Sequence, residues 1–188
     1  KAETEGGVDW DYLMAMAAES PPGANGVMFL PHFSGSTIPV PDGNSRGVFV
    51  GLRNTTTRGD MLRAVIEGLN FQFLEILQGV QTALNVVPEK FVAVGGGAQN
   101  AFWMQNKADM VGRPIETPDI EEATPLGAAI LAGIGVGLYA DEDDALSRTY
   151  RPGKVYEPNT ELTPMYAERF EVYKQLYPAT KPINRKLT

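Results

Sequence analysis

The chain of 188 residues contains no cysteine and a single histidine. Disulfides and thiolate metal sites are therefore excluded, and the lack of thiols fits a reducing compartment, the cytoplasm. One histidine cannot build a histidine metal cluster. His32 follows Pro31 near the end of an apolar run and reads as a structural or loop residue. No apolar run reaches the roughly 18 residues needed to cross a bilayer, so no membrane partner is expected. The opening Lys1-Ala2-Glu3-Thr4-Glu5 lacks the charged-then-apolar form of a signal peptide. Positive charge is also scarce: 16 Lys and Arg against 23 Asp and Glu give a formal net charge of -7. Such a surface disfavours a phosphate-backbone partner, and no nucleic acid is expected.

What remains is ordinary for a globular protein, with 43% hydrophobic and 21% charged residues. The length suits one domain with a real core, 1–188, in which 1–177 would be ordered and 178–188 would be a polar, frayed tail. There is no internal repeat and no low-complexity tract.

One stretch organises the rest. Phe91-Val92-Ala93-Val94 ends in Gly95-Gly96-Gly97, and Ala98-Gln99-Asn100 leads into a helical pattern to about Val111. This reads as strand, tight turn and helix. Glycines remove every Cβ from the turn, so a ligand can touch bare backbone, and the amides of a helix start would point at it. A nucleotide or phosphate contact is the functional reading; a bland turn is the alternative. Asn100 stands where the dinucleotide fingerprint needs its last glycine, and no Gly-Lys-Ser/Thr follows to make a Walker A loop.

Around that stretch, residues 8–18 form a short amphipathic helix stopped by Ser20-Pro21-Pro22-Gly23. Residues 27–30 and 48–52 are strands, joined by a long loop rich in proline and glycine. The longest helix spans 57–85, about 40 Å, with Thr57 as its N-cap and Asp60 three residues on. Its spacing predicts a buried face of Leu62, Val65, Leu69, Phe73 and Leu77. Residues 114–118 read as an edge strand because prolines bracket them. Thr124 would cap the next helix with Pro125 at its first position. That helix is rich in small residues, including Gly127, Ala128, Ala129 and Gly133, and is expected to pack behind the glycine turn. A short acidic helix at 141–148, an extended piece at 154–158 and an amphipathic helix at 162–176 complete the chain. Strands alternate with helices, so the class is α/β.

Three segments, in order, resemble the C-terminal domain of the FGGY carbohydrate kinases. Gly47-Val48-Phe49-Val50-Gly51-Leu52, followed after seven residues by Asp60-Met61-Leu62-Arg63-Ala64-Val65-Ile66-Glu67, is similar to the second family signature. Val94-Gly95-Gly96-Gly97-Ala98-Gln99-Asn100 resembles the adenine-nucleotide loop. The run from Glu121-Glu122-Ala123 to Ile130-Leu131 resembles the helix behind that loop, and Leu30-Pro31-His32-Phe33-Ser34-Gly35 resembles the loop before the signature. The resemblance covers roughly 6–150 and implies the actin-like, ribonuclease-H-like ATPase fold.

The resemblance further implies ATP-dependent phosphorylation of a sugar or polyol hydroxyl, with ATP and Mg²⁺ as cofactors and a homodimer as one form of assembly. Gly96 and Gly97 would approach the nucleotide and Asn100 would contact the adenine side. Gly6, Gly7 and Asp9 sit near a second nucleotide contact of the family. The family's catalytic aspartate lies upstream of these segments, so the chain looks like the adenosine-side piece of a kinase, with no catalytic or metal-binding residue of its own. Ser36-Thr37 stands where relatives often carry a charged pair. A non-catalytic nucleotide-binding module of the same fold is the alternative.

Overall fold

The computed structural model describes residues 3–4, 7–120 and 122–187. Gly6 and Glu121 lie outside the described residues. A small hairpin, β1 (Glu3–Thr4) with β2 (Gly7–Val8), precedes α1 (Trp10–Glu19). Asp9 caps α1, its carboxylate accepting from the Tyr12 amide at 2.9 Å. An antiparallel pair follows, β3 (Met28–Leu30) with β4 (Val48–Val50), in which Phe29 faces Phe49 across the register. β3 is buried along its length. In the loop between them His32 is only 3% exposed, with Nδ1 2.8 Å from Ser45 Oγ, which is the structural role expected of it.

A second sheet carries β5 (Phe91–Val92), β6 (Ile115–Thr117) and β7 (Lys154–Tyr156). β5 runs parallel to β6, and β7 runs antiparallel to it. The expected edge strand is thus the middle one. Pro114 and Pro118 lie just outside the paired residues, so no ladder N–H is lost, and the Pro114 carbonyl accepts from the Phe91 amide at 3.1 Å.

Between the two sheets in sequence runs α2 (Arg58–Leu84). Its capping box is complete: the Thr57 amide donates to Asp60 at 2.8 Å, and the Asp60 amide donates to the Thr57 hydroxyl at 3.1 Å. The buried face differs from the expected one. Asp60, Arg63, Ala64, Glu67, Asn70 and Phe71 are buried, whereas Leu62, Val65, Leu69, Phe73 and Leu77 are half-buried. Apolar spacing cannot register a face made of polar groups that satisfy one another. The helix also lies close to its neighbours' backbones. A Cβ at Gly59 would stand 2.6 Å from the Met16 carbonyl oxygen, and one at Gly68 would collide with the Phe29 carbonyl.

α3 (Ala101–Val111) packs on α2, and α6 (Thr163–Tyr173) packs on both. Phe71 meets Tyr173 with ring centroids 5.2 Å apart, in a core shared with Met28, Leu30, Met110 and Phe170. α4 (Ala123–Gly135) begins before Thr124, at the Glu122 cap, which makes no side-chain bond. Pro125 is therefore its third residue, still within the turn whose N–H groups need no intrahelical acceptor. α4 packs mainly on α5 (Glu142–Thr149) rather than behind the glycine turn, and its small residues Gly127, Ala128 and Ala129 are exposed.

The expected frayed tail is a helix, α7 (Leu176–Leu187), with Pro182 inside it. Tertiary contacts outweigh the local signal. Leu176 and Asn184 are buried, and the Tyr177 hydroxyl donates to Asp42 at 2.8 Å. Pro178 falls in the first turn, where a missing N–H costs nothing.

Candidate glycine-turn site

β5 leads into a single 3-10 turn over Gly96–Gln99, and α3 starts only after Asn100. The turn is closed by the Ala98 amide donating to the Gly95 carbonyl at 3.0 Å and by Asn100 donating to Gly97 at 3.3 Å. Gly95 has φ +91°, a left-handed conformation that glycine adopts without strain. No atom lies within 4 Å of the place a Cβ would take at Gly95 or Gly96. Gly95, Gly96 and Gly97 are exposed, and the first-turn amides of Gly96 and Gly97 have no intrahelical acceptor. Backbone donors therefore face open space, the arrangement an anionic or polar ligand can use.

Gly97 is glycine for a different reason. A Cβ there would stand 3.1 Å from the Trp103 ring, so its bare face rests on an indole rather than on ligand space. Asn100 caps α3, its Oδ1 accepting from the Trp103 amide at 2.9 Å. The cap leaves Nδ2 as the side chain's donor. Below the turn lies a cleft of about 290 Å³ lined by Phe73, Phe91, Ala98, Trp103 and Lys107. The Lys107 ammonium sits 4.8 Å from the Phe73 centroid and 5.7 Å from that of Trp103. Burial pulls its pKa below the usual lysine value.

The structure brings Gly96, Gly97 and Asn100 into one turn. Asp9 instead caps α1, which packs on α2, and Gly7 lies in β2. Sequence reasoning missed Trp103 and Asn70. The Trp103 Nε1–H donates to the Asn70 Oδ1 at 2.9 Å, and a tryptophan at the third position of a capped helix was the available signal.

A second cleft, of about 430 Å³, is lined by Glu19, Ser20, Asn25, Thr57, Arg58 and Asp60. Its central carboxylate is already committed. Asp60 accepts from the Ser20 hydroxyl at 2.6 Å, from Asn25 at 2.8 Å and from the Thr57 amide. These bonds, the Ser20 one foremost, hold its pKa down from 3.8 to about 2. A carboxyl with a depressed folded pKa contributes stability above its unfolded pKa and loses it as pH falls through the folded one. Between about pH 4 and pH 2 the native chain should therefore lose about 2 kcal/mol through this group. Urea denaturation at stepped pH checks this: the Asp60→Asn variant should show a shallower acid slope, and an unchanged slope would remove Asp60 from the account.

Among the described residues, no group of three or more His, Asp or Glu side chains is placed to hold a metal ion, and no helix is long and apolar enough to cross a membrane.

Fold and turn together define an α/β domain of the actin-like ATPase class. The model of the FGGY family of carbohydrate kinases, C-terminal domain, matches residues 1–136, and the chain belongs to that family. It is 32% identical over 178 residues to a xylulose kinase of Staphylococcus epidermidis, covering 95% of this chain and 36% of that relative. Among solved structures it is similar to a gluconate kinase from Lactobacillus acidophilus, with TM-score 0.85 and 28% identity over 100% of this chain and 38% of the other. It also matches the Plasmodium falciparum glycerol kinase with ADP, with TM-score 0.72 and 26% identity over 96% and 34% of the two chains. The chain thus spans about a third of the length of the proteins it matches, 36% for the xylulose kinase.

Proposed function

We propose that the chain supplies the adenosine-side half of the ATP site in an ATP-dependent phosphorylation of a sugar or polyol hydroxyl. The observation that carries this reading is the open backbone at Gly95 and Gly96, placed directly before an N-capped helix. A relative of the same fold has been solved with ADP, which supports a nucleotide as the ligand.

In this reading Gly96 and Gly97 offer backbone N–H groups to the nucleotide, and Asn100 offers Nδ2 to the adenine side. Bare glycine allows the approach, and the capped helix holds the donors still. Phosphoryl transfer is governed by alignment and charge stabilisation, so a rigid nucleotide contact serves the chemistry without reacting. Mg²⁺ would neutralise the phosphates when bound, and in this reading the phosphates and residues outside this chain hold it. In this reading the base that deprotonates the hydroxyl also comes from outside this chain. Gly95 to Asn100 offer no side chain able to act as one. Xylulose, glycerol and gluconate kinases share this fold, so the fold by itself does not set the acceptor. ATP supply would place the reaction in the cytoplasm, and a homodimer is one form of assembly open to this reading.

Calorimetry on the 188-residue chain tests this. ADP and ATP should bind, whereas pentoses, hexoses and polyols should give no heat, and MgATP with those sugars should give no sugar-dependent ADP release. Sugar-dependent turnover abolished by changing Glu122 would place the catalytic residues in this chain, and nucleotide binding that fails outright would remove the nucleotide half-site.

A further inference from the structure

We propose that Asn70 and Trp103 are positioning residues for the glycine turn, and that the bond between them fixes the height of the Gly95–Gly97 backbone. That this serves a nucleotide rests on the function proposed above; the positioning itself rests on geometry alone.

Trp103 touches the turn directly, because the face of Gly97 that lacks a Cβ lies against its ring. Two bonds hold the tryptophan. Its amide donates to Asn100 at 2.9 Å, at the last residue of the turn, and its indole N–H donates to Asn70 of α2 at 2.9 Å. The first bond ties the residue to the turn, and the second ties it to the longest helix of the fold.

The second bond heads a chain with only one direction. An indole N–H can only donate, so Asn70 must present its oxygen to it. The Asn70 amide nitrogen then donates to Asn106 Oδ1 at 2.8 Å, and the Asn106 nitrogen donates to the Tyr166 hydroxyl at 2.8 Å. The Tyr166 hydroxyl donates in turn to Glu67 at 2.9 Å. A carboxylate only accepts, so both ends of the chain fix the orientation of every amide between them. Asn70, Asn106, Tyr166 and Glu67 are each 2% exposed or less, so water cannot readily substitute for a missing link. The turn is thereby referred, through one ring, to the buried centre where α2, α3 and α6 meet.

Three variants test this, with two readouts. Trp103→Phe keeps an aromatic floor but removes the donor, Asn70→Leu removes the acceptor, and Asn70→Gln keeps both an acceptor for the indole and a donor for Asn106. Amide hydrogen exchange followed by NMR compares Ala98 and Asn100 in the turn with Met104 and Ala108 in α3. A merely structural loss raises exchange at all four together. Positioning predicts that Trp103→Phe and Asn70→Leu speed exchange in the turn at least tenfold more than in α3, and raise the dissociation constant for ADP about tenfold. Asn70→Gln, which can still accept from the indole and donate to Asn106, should lie nearer the unaltered chain than Asn70→Leu in both readouts. Equal acceleration at all four amides, or none, would overturn the proposal. Selective acceleration in a chain whose unaltered form binds no ADP would uphold the positioning and remove the nucleotide reading instead.

Discussion

Glu67→Ala is expected to destabilise the chain by about 3–5 kcal/mol, the usual cost of stranding one partner of a buried ion pair. One oxygen of Glu67 accepts from the Gly23 amide, the Arg63 Nε and the Tyr166 hydroxyl, each at 2.9 Å. Arg63 is 6% exposed and also donates to the Ser20 carbonyl at 2.6 Å. Without Glu67 a guanidinium stays inside with only the Ser20 carbonyl and the Tyr166 hydroxyl to accept from it, and with its paired carboxylate gone. Domains of this kind are stable by about 5–15 kcal/mol in all, so the loss would bring the chain close to unfolding at room temperature. Urea denaturation measures it. Replacing both partners together, as Arg63→Met with Glu67→Leu, should cost less than Glu67→Ala alone, because no unpaired charge remains. A loss below about 1 kcal/mol for Glu67→Ala would mean that the network is not what holds α2 in place.

Gly96→Leu is expected to weaken ADP binding about a hundredfold, roughly 3 kcal/mol, with the fold intact. Nothing lies within 4 Å of the new Cβ, and Gly96 does not have a left-handed backbone, so the side chain meets only the space assigned to the ligand. Calorimetry with ADP, beside a thermal melt, measures both parts. The neighbouring Gly97→Ala is a different experiment, since its Cβ presses on the Trp103 ring at 3.1 Å and reports on packing beneath the turn. Unchanged ADP affinity in a folded Gly96→Leu chain would take the nucleotide away from this turn.

The turn was legible in the sequence because its signals are local. Three glycines between an apolar run and a helical pattern specify a turn without help from distant residues, whereas the Asn100 cap on the Trp103 amide was not read from the sequence. The capping box of Thr57 and Asp60 was readable for the same reason. The long helix was readable as a helix, but its buried face was not, because Arg63, Glu67 and Asn70 are buried only by virtue of Gly23, Ser20, Asn106 and Tyr166, which lie far away in sequence. β6 shows the same limit: proline forbids a ladder bond only at its own nitrogen, and the pairing skips both prolines. α7 is the converse case, a polar, proline-bearing segment ordered by Leu176, Tyr177 and Asn184 against the rest of the molecule.

Backbone NMR of the ¹⁵N-labelled chain during an ADP titration tests the central claim most directly. The account predicts saturable shifts concentrated at Gly95, Gly96, Gly97 and Asn100 and at the Trp103 indole N–H, with Ser20, Asn25 and Asp60 around the second cleft unmoved. Saturable shifts centred on that second cleft, or none at the glycine turn at millimolar ADP, would contradict it.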